Sequence, residues 1–377
     1  MATDDPALET LFLPFADGLL PWPETGGVLF LRARDGAPLH QQPRPGLVCE
    51  QSFKPDAEAL QRAGCTLVDA ETDANPDNAA RYALVLVLPP RQRDESRALL
   101  ARALALTAPG GRVVASVANT EGARSAEDDL RQLAGAVANV SKHKCRVFWT
   151  APRAAAEEDP ARAALAAQWR ALDAVRPIGD ARFVSRPGVF AWDRIDPASQ
   201  LLAEHLPADL AGQAADLGAG FGYLSVELLA RCAGIHALDL YEAEARALDL
   251  ARRNLAGFES RARLGFHWHD VTGGLPQRYD VIVSNPPFHT QSRADRPDIG
   301  RRFIAVAAEA LKPGGRLWLV ANRHLPYEAV LTESFGSVRT VAQRDGFKII
   351  EAIKAQPGRP ERGPKPFDRV AVRNQHR

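Results

Sequence analysis

Tyr279-Asp280-Val281-Ile282-Val283-Ser284-Asn285-Pro286-Pro287-Phe288 is the stretch on which the reading of this chain turns. Its first half is an almost unbroken apolar run, the pattern of a strand buried on both faces in a parallel sheet. Two prolines then end it, because a proline has no N–H to give to a sheet ladder. The residue before a proline is pushed out of the helical region, so Asn285 is expected to be extended at the strand's carboxyl end. Open parallel sheets hold their ligands at that end. The Asn285 side-chain oxygen and the Pro286 carbonyl would there be neighbouring acceptors, with Pro287 and then the Phe288 ring following. Two acceptors can hold both hydrogens of a planar amino group, and a ring can stack on the base or amide that carries it. The plainer reading of the same residues is a strand closed by an ordinary Pro-Pro turn.

Upstream, Asp216-Leu217-Gly218-Ala219-Gly220-Phe221-Gly222-Tyr223 leads from an expected strand into a helix through a glycine turn. Glycines let the backbone approach a ligand and leave helix-start N–H groups free for an anion. Asp239, 23 residues after Asp216, is expected to end the next strand and accept hydrogen bonds from ribose hydroxyls. Asp270, near the end of a third strand, is placed to meet an adenine amino group. A dinucleotide fingerprint needs its third glycine at position 223, where Tyr223 stands, and Gly222 falls one residue early. An acidic residue followed by G-x-G-x-G is what binds S-adenosylmethionine in class I methyltransferases. A tight turn without a ligand is the alternative.

A chain of 377 residues is too long for one typical core and suggests two domains. With 46% hydrophobic and 25% charged residues and a formal charge of +1, nothing global announces a nucleic-acid partner. Only seven of the 47 cations are Lys, and Arg is the better residue for forked phosphate contacts and stacking. Cys49, Cys65, Cys145 and Cys232 are scattered, with no ligand spacing for zinc, so neither a metal nor a disulfide framework is expected. The N-terminus lacks the pattern of a signal peptide and no apolar run approaches membrane-spanning length. The expected setting is the cytoplasm, away from membranes.

Residues 1–150 alternate apolar runs at 27–31, 82–88 and 112–117 with helical stretches at 93–106 and 124–137, an α/β unit with a parallel sheet. Nothing glycine-rich follows the first run. Residues 151–186 read as a helical linker broken at Pro160. Residues 187–355 form a second α/β unit, with strands at 213–217, 235–240, 263–268, 279–284 and 315–321. A closing hairpin turns at Arg344-Asp345-Gly346. The tail, 356–377, is basic and proline-rich and reads as flexible.

The halves echo one another. Tyr82 to Pro89-Pro90 matches Tyr279 to Pro286-Pro287, and Pro109-Gly110-Gly111-Arg112 matches Pro313-Gly314-Gly315-Arg316 in the same order. Two such matches suggest a duplicated domain. Leu88 stands where the second copy has Asn285, so the first copy is expected to have lost the chemistry.

On Asp216 to Gly222 together with Asn285-Pro286-Pro287-Phe288-His289, the chain resembles the bacterial ribosomal RNA guanine-N2 methyltransferases. That family comprises the small-subunit enzyme called C and a large-subunit relative called G. Pro187-Gly188-Val189-Phe190, Asp196 to Gln200, Val320 to Tyr327 and Phe347-Lys348 resemble further segments of it. Ala198 replaces an expected Gly, and the insertions around 153–180 and the basic tail depart from the pattern. The resemblance implies two tandem Rossmann-like class I methyltransferase domains, the N-terminal one degenerate. It implies S-adenosylmethionine as cofactor, held by Asp216, Gly218, Gly220, Gly222, Asp239, Asp270 and Asn285. The substrate would be N2 of a guanine in ribosomal RNA, 16S ahead of 23S, although Asn322-Arg323-His324-Leu325 looks closer to the large-subunit relative. Asn285, Pro286, Pro287 and Phe288 would carry the chemistry in a monomer acting on ribosomal RNA or a ribosomal subunit. Adenine N6, a protein glutamine, or a non-catalytic RNA-binding assembly role are the alternatives. His267 and His269 fall on one face of a strand but have no evident third ligand for a metal.

Overall fold

A computed structural model describes residues 5–69, 82–154, 159–287 and 297–356. They contain two seven-stranded sheets of one topology. The first holds β1 (Val28–Leu31), β2 (Leu47–Glu50), β3 (Thr66–Leu67), β4 (Tyr82–Val87), β5 (Thr107–Ala118), β6 (Val137–Lys142) and β7 (Cys145–Thr150), in the order β3-β2-β1-β4-β5-β7-β6. A small hairpin follows, β8 (Arg176–Ile178) and β9 (Phe183–Ser185). The second sheet holds β10 (Ala211–Leu217), β11 (Gly234–Glu242), β12 (Arg263–Trp268), β13 (Tyr279–Ser284), β14 (Leu311–Asn322), β15 (Ser337–Arg344) and β16 (Phe347–Ile353). Its order, β12-β11-β10-β13-β14-β16-β15, repeats the first position by position. In each sheet the last two strands run antiparallel to the rest or to one another. Even an irregularity is shared: Tyr82 pairs with Thr107 and Leu84 with Arg112, as Tyr279 pairs with Leu311 and Val281 with Arg316.

Successive side chains of a strand point to opposite faces, so a strand apolar at every position needs cover on both. In β13, Val281 and Val283 join Leu224, Leu248 and Trp318 on one face, while Ile282 joins Phe303, Ala307 and Leu317 on the other. These three β13 side chains are at most 2% exposed, each worth roughly 1.5–3 kcal/mol on burial. Apolar burial therefore sets the register that brings Asn285 to the carboxyl end of the sheet.

The structure departs from the sequence reading in several places. β11 runs to Glu242, two residues past the expected end at 240. β2 and β3, of four and two residues, are too short for periodicity to signal. The β6–β7 hairpin turns through His143 and Lys144 at φ 52° and 57°, where its counterpart uses Asp345 and Gly346 at 53° and 84°. Without a glycine the first turn carries no signature. Pro160 does not break a helix but opens one: Pro160–Arg170 begins there, capped by Asp159, whose Oδ1 accepts the Ala161 amide at 3.0 Å. Trp169 of that helix is buried in the first unit's core, with the Arg97 guanidinium 4.6 Å over its ring. Apart from Gln356, the basic tail lies outside the described residues. Among the described residues no helix is long and apolar enough to cross a membrane.

The two units meet at the segment after β11. Lys54 donates its amide to the Ala243 carbonyl at 2.8 Å, Ala245 its own to Ser52 at 2.9 Å, and Trp268 Nε1 reaches Ser52 at 2.9 Å. Arg246 ties three segments together. Its guanidinium pairs with Glu95 of the first unit and Asp173 before β8, and donates to the Pro187 carbonyl at 2.8 Å.

Candidate active site

The carboxyl ends of β10 and β13 lie side by side. Leu217 pairs with Ser284, and Ser284 Oγ donates to the Leu217 carbonyl at 2.7 Å. The glycine turn and the Asn-Pro-Pro segment thus leave the sheet together: a Cβ added to Gly218 would stand 4.0 Å from the Asn285 carbonyl oxygen. Asp196, Ser199, Gly218, Gly220 and Asn285 line one hollow, which also takes in Phe190, 66% exposed.

Within the turn two glycines do different work. Gly222, at φ +88°, leaves no room for a side chain, since a Cβ would strike Leu255 Cδ1 at 2.6 Å. Gly220, at φ +55°, has nothing within 4 Å of its Cβ position, so its missing side chain keeps space clear for a ligand. Four amides of the turn itself are engaged by protein acceptors. Gly218 and Ala219 donate to the Tyr241 carbonyl, Gly222 to Ala219, and Gly220 to Glu242 Oε2 at 2.7 Å. Spent in this way, those four amides are not available to an anion.

Glu242 is the carboxylate that sequence reasoning missed. It ends β11 beside Gly220, and its Oε1 also accepts the Glu244 amide at 2.8 Å. Burial raises its carboxyl above the ordinary value, opposed by the hydrogen bonds from Glu244 and Gly220. Asp239, expected in that place, is instead interior to β11 and 1% exposed. Its Oδ2 accepts the Tyr279 hydroxyl at 2.9 Å, which in turn lies 2.6 Å from the Tyr241 hydroxyl. Three further strand residues, Leu240 to Glu242, carry the chain past it, and Asp239 becomes part of a buried polar network.

Asp216 is fully buried; Ser225 Oγ donates to its Oδ2 at 2.8 Å, while Oδ1 has no hydrogen-bond partner among the described residues. Burial pushes its carboxyl up to about 7, against the Ser225 hydrogen bond. Asp270 caps the short turn Val271–Gly273, its Oδ1 accepting the Thr272 amide at 2.9 Å and hydroxyl at 2.7 Å. Asn254 is a second residue missed. It donates to the Phe221 carbonyl at 2.8 Å and exchanges hydrogen bonds with the Val184 backbone, pinning the glycine turn against β9. His267 and His269 both pack on Tyr241, with ring centroids 4.6 and 5.5 Å away.

Asn285 is half-buried, Pro286 buried and Pro287 exposed. Asn285 Nδ2 donates to Asp196 Oδ2 at 2.9 Å and to Ser199 Oγ at 2.8 Å, which leaves Oδ1 as the acceptor the side chain can offer. Phe288 and His289 lie outside the described residues.

The first sheet shows the same place without the same residues. Leu31 pairs with Glu50 and Val87 as Leu217 pairs with Tyr241 and Ser284. One residue further, Arg32 answers to Gly218, Gln51 to Glu242 and Leu88 to Asn285. Arg34 then falls at the position of Gly220, and its guanidinium pairs with Asp5 at 3.1 Å. Arginine side chains stand where the second unit keeps its backbone bare.

The family model described as methyltransferase small domain matches residues 180–351. The chain is similar to ribosomal RNA small subunit methyltransferase C of Salmonella paratyphi B, with 30% identity over 298 residues, 78% of this chain and 83% of that protein. It is similar to the protein of that name from Alcanivorax borkumensis at 36% over 184 residues, where the match spans 48% of this chain and 54% of the relative. Among solved structures it is similar to the T. thermophilus 16S rRNA N2 methyltransferase in complex with AdoMet and guanosine, with a TM-score of 0.74 and 24% identity, covering 94% of this chain and 93% of that one. At that identity the likeness is one of fold: two tandem Rossmann-like domains.

Proposed function

This chain belongs to the ribosomal RNA small subunit methyltransferase C family, and on that premise we propose that it methylates N2 of a guanine in small-subunit ribosomal RNA from S-adenosylmethionine. The observation that carries the proposal is the fixed Asn285 amide, its nitrogen held by Asp196 and Ser199 beside the glycine turn. Residues 187–355 are the catalytic unit, 151–186 join it to the degenerate unit of 1–150, and the working enzyme is a cytoplasmic monomer.

The residues present fit the cofactor. Gly220 leaves its Cβ position open, Glu242 ends the adjoining strand, and Asp216 Oδ1 is a buried acceptor without a partner among the described residues. Glu242 would hold the ribose hydroxyls, Asp216 the ammonium group and Asp270 the adenine amino group, with Gly218, Gly220 and Gly222 giving access. When bound, S-adenosylmethionine supplies an electrophilic methyl group.

The exocyclic nitrogen of guanine is a poor nucleophile because its lone pair is delocalised into the ring. Asn285 Oδ1 and the Pro286 carbonyl accept its two N–H bonds, which favours a pyramidal nitrogen with a free lone pair. Holding that nitrogen in line is the larger part of the task. Phe288 would stack on the base, and a guanine within a helix would first be extruded.

Digested 16S and 23S RNA from a strain lacking the protein provides the test. One N2-methylguanosine is expected to vanish from 16S RNA and return on complementation. Loss from 23S instead would move the substrate to the large subunit. Retention of every N2-methylguanosine in both RNAs would refute the assignment.

A further inference from the structure

We propose that Asp196 and Ser199 are positioning residues for the transfer: they lock the Asn285 amide so that its oxygen, and not its NH2, meets the incoming amino group. The proposal rests on the functional reading above. An asparagine amide is nearly symmetric in shape but not in chemistry. Turned over, it would offer donors to a substrate amino group that also brings donors, and the site would fail. A carboxylate only accepts, so the atom 2.9 Å from Asp196 Oδ2 has to be the amide nitrogen. Ser199 Oγ takes the second N–H at 2.8 Å.

The lock is itself held. Asp196 Oδ2 also accepts the Ser199 amide at 2.8 Å, so one oxygen caps the helix Pro197–His205 and grips Asn285. Ser199 is 7% exposed and Asp196 lines the hollow. A carboxylate on the N–H side of an amide also draws negative charge toward its oxygen, strengthening it as an acceptor.

The first unit supplies an internal control. Its helix Pro6–Ala16 begins in the same way, with Asp5 Oδ1 accepting the Leu8 amide at 3.0 Å. There Leu8 falls at the position of Ser199 and Leu88 at that of Asn285, 1% and 4% exposed. The capping aspartate survives where only a helix start is needed. The serine and the asparagine are absent together.

Asp196→Ser keeps a good capping residue while withdrawing the reach to Asn285, and Ser199→Ala removes the second acceptor alone. Steady-state transfer to ribosomal RNA from cells lacking the protein, with melting curves alongside, separates the outcomes. Each variant is expected to lose about tenfold in kcat and the pair about a hundredfold, the cost of a misplaced reacting group. KM for S-adenosylmethionine should stay within about threefold. Wild-type kcat in both single variants would overturn the proposal, and so would a parallel loss of cofactor affinity, which marks a structural disturbance. An inactive wild-type enzyme would instead overturn the functional reading, and this proposal with it.

Discussion

The amide of Gly220 donates to Glu242 Oε2 across 2.7 Å, so the tip of the glycine turn is tied to the end of the neighbouring strand. Glu242→Ala removes that tie and the proposed ribose ligand together. A hydrogen bond to a charged group is worth roughly 1.5–3 kcal/mol, so cofactor affinity measured by calorimetry should fall by about tenfold to a hundredfold. Asp239→Asn should leave affinity nearly unchanged and lower the melting temperature instead, because Asp239 serves the Tyr279 hydroxyl. The opposite pattern would return the ribose role to Asp239.

Asn285→Ala should cut turnover sharply while cofactor affinity stays within a few fold. Loss of one preorganised group at a reacting centre costs on the order of 2.7–4 kcal/mol, or about 10²–10³ in kcat. A matching loss of cofactor binding would make Asn285 a cofactor ligand and not a substrate one.

With Asp216 as the proposed partner of the ammonium group, cofactor binding should depend on pH. Burial raises its carboxyl from 3.8 to about 7, so it is largely neutral at pH 6 and ionised at pH 8. A positively charged ligand group favours the ionised form, and affinity should therefore rise between pH 6 and 8. Asp216→Asn should flatten that rise. For the free protein the sign is reversed. The folded state holds the Asp216 proton more tightly, so this group's stability contribution is full below 3.8 and lost as pH climbs through about 7. Melting curves at pH 5 and 8 should show Asp216→Asn gaining on the wild type at the higher pH.

Gly188 lies in the lead-in to the hollow at φ +87°, and a Cβ there would fall 2.2 Å from Glu95 Oε2. Glu95 is also the partner of Arg32 and Arg246. Gly188→Ala should lower both melting temperature and activity. In a Glu95→Ala background, where the colliding atoms are gone, the same substitution should cost less. Additive losses would mean that the contact between the units does not position this loop.

What could be read without coordinates was local. Two prolines after an apolar run place Asn285 at a strand end, and glycines after Asp216 announce a turn, because each residue restricts its own backbone. The repeated Tyr-to-Pro-Pro spacing disclosed the duplication for the same reason. Where β11 ends is not local. Glu242 is the last strand residue because it pairs with Trp268 and accepts the His269 amide at 2.9 Å, and no periodicity distinguishes it from Asp239 in a strand buried on both faces. Nor is the grip on Asn285 local. Asp196 and Ser199 lie 89 and 86 residues before it, and only the packing of their helix against β14 and β16 brings them within hydrogen-bond reach. The backbone preferences of single residues chose the motifs; burial of the sheet's two faces chose which carboxylates and which amide orientation they work with.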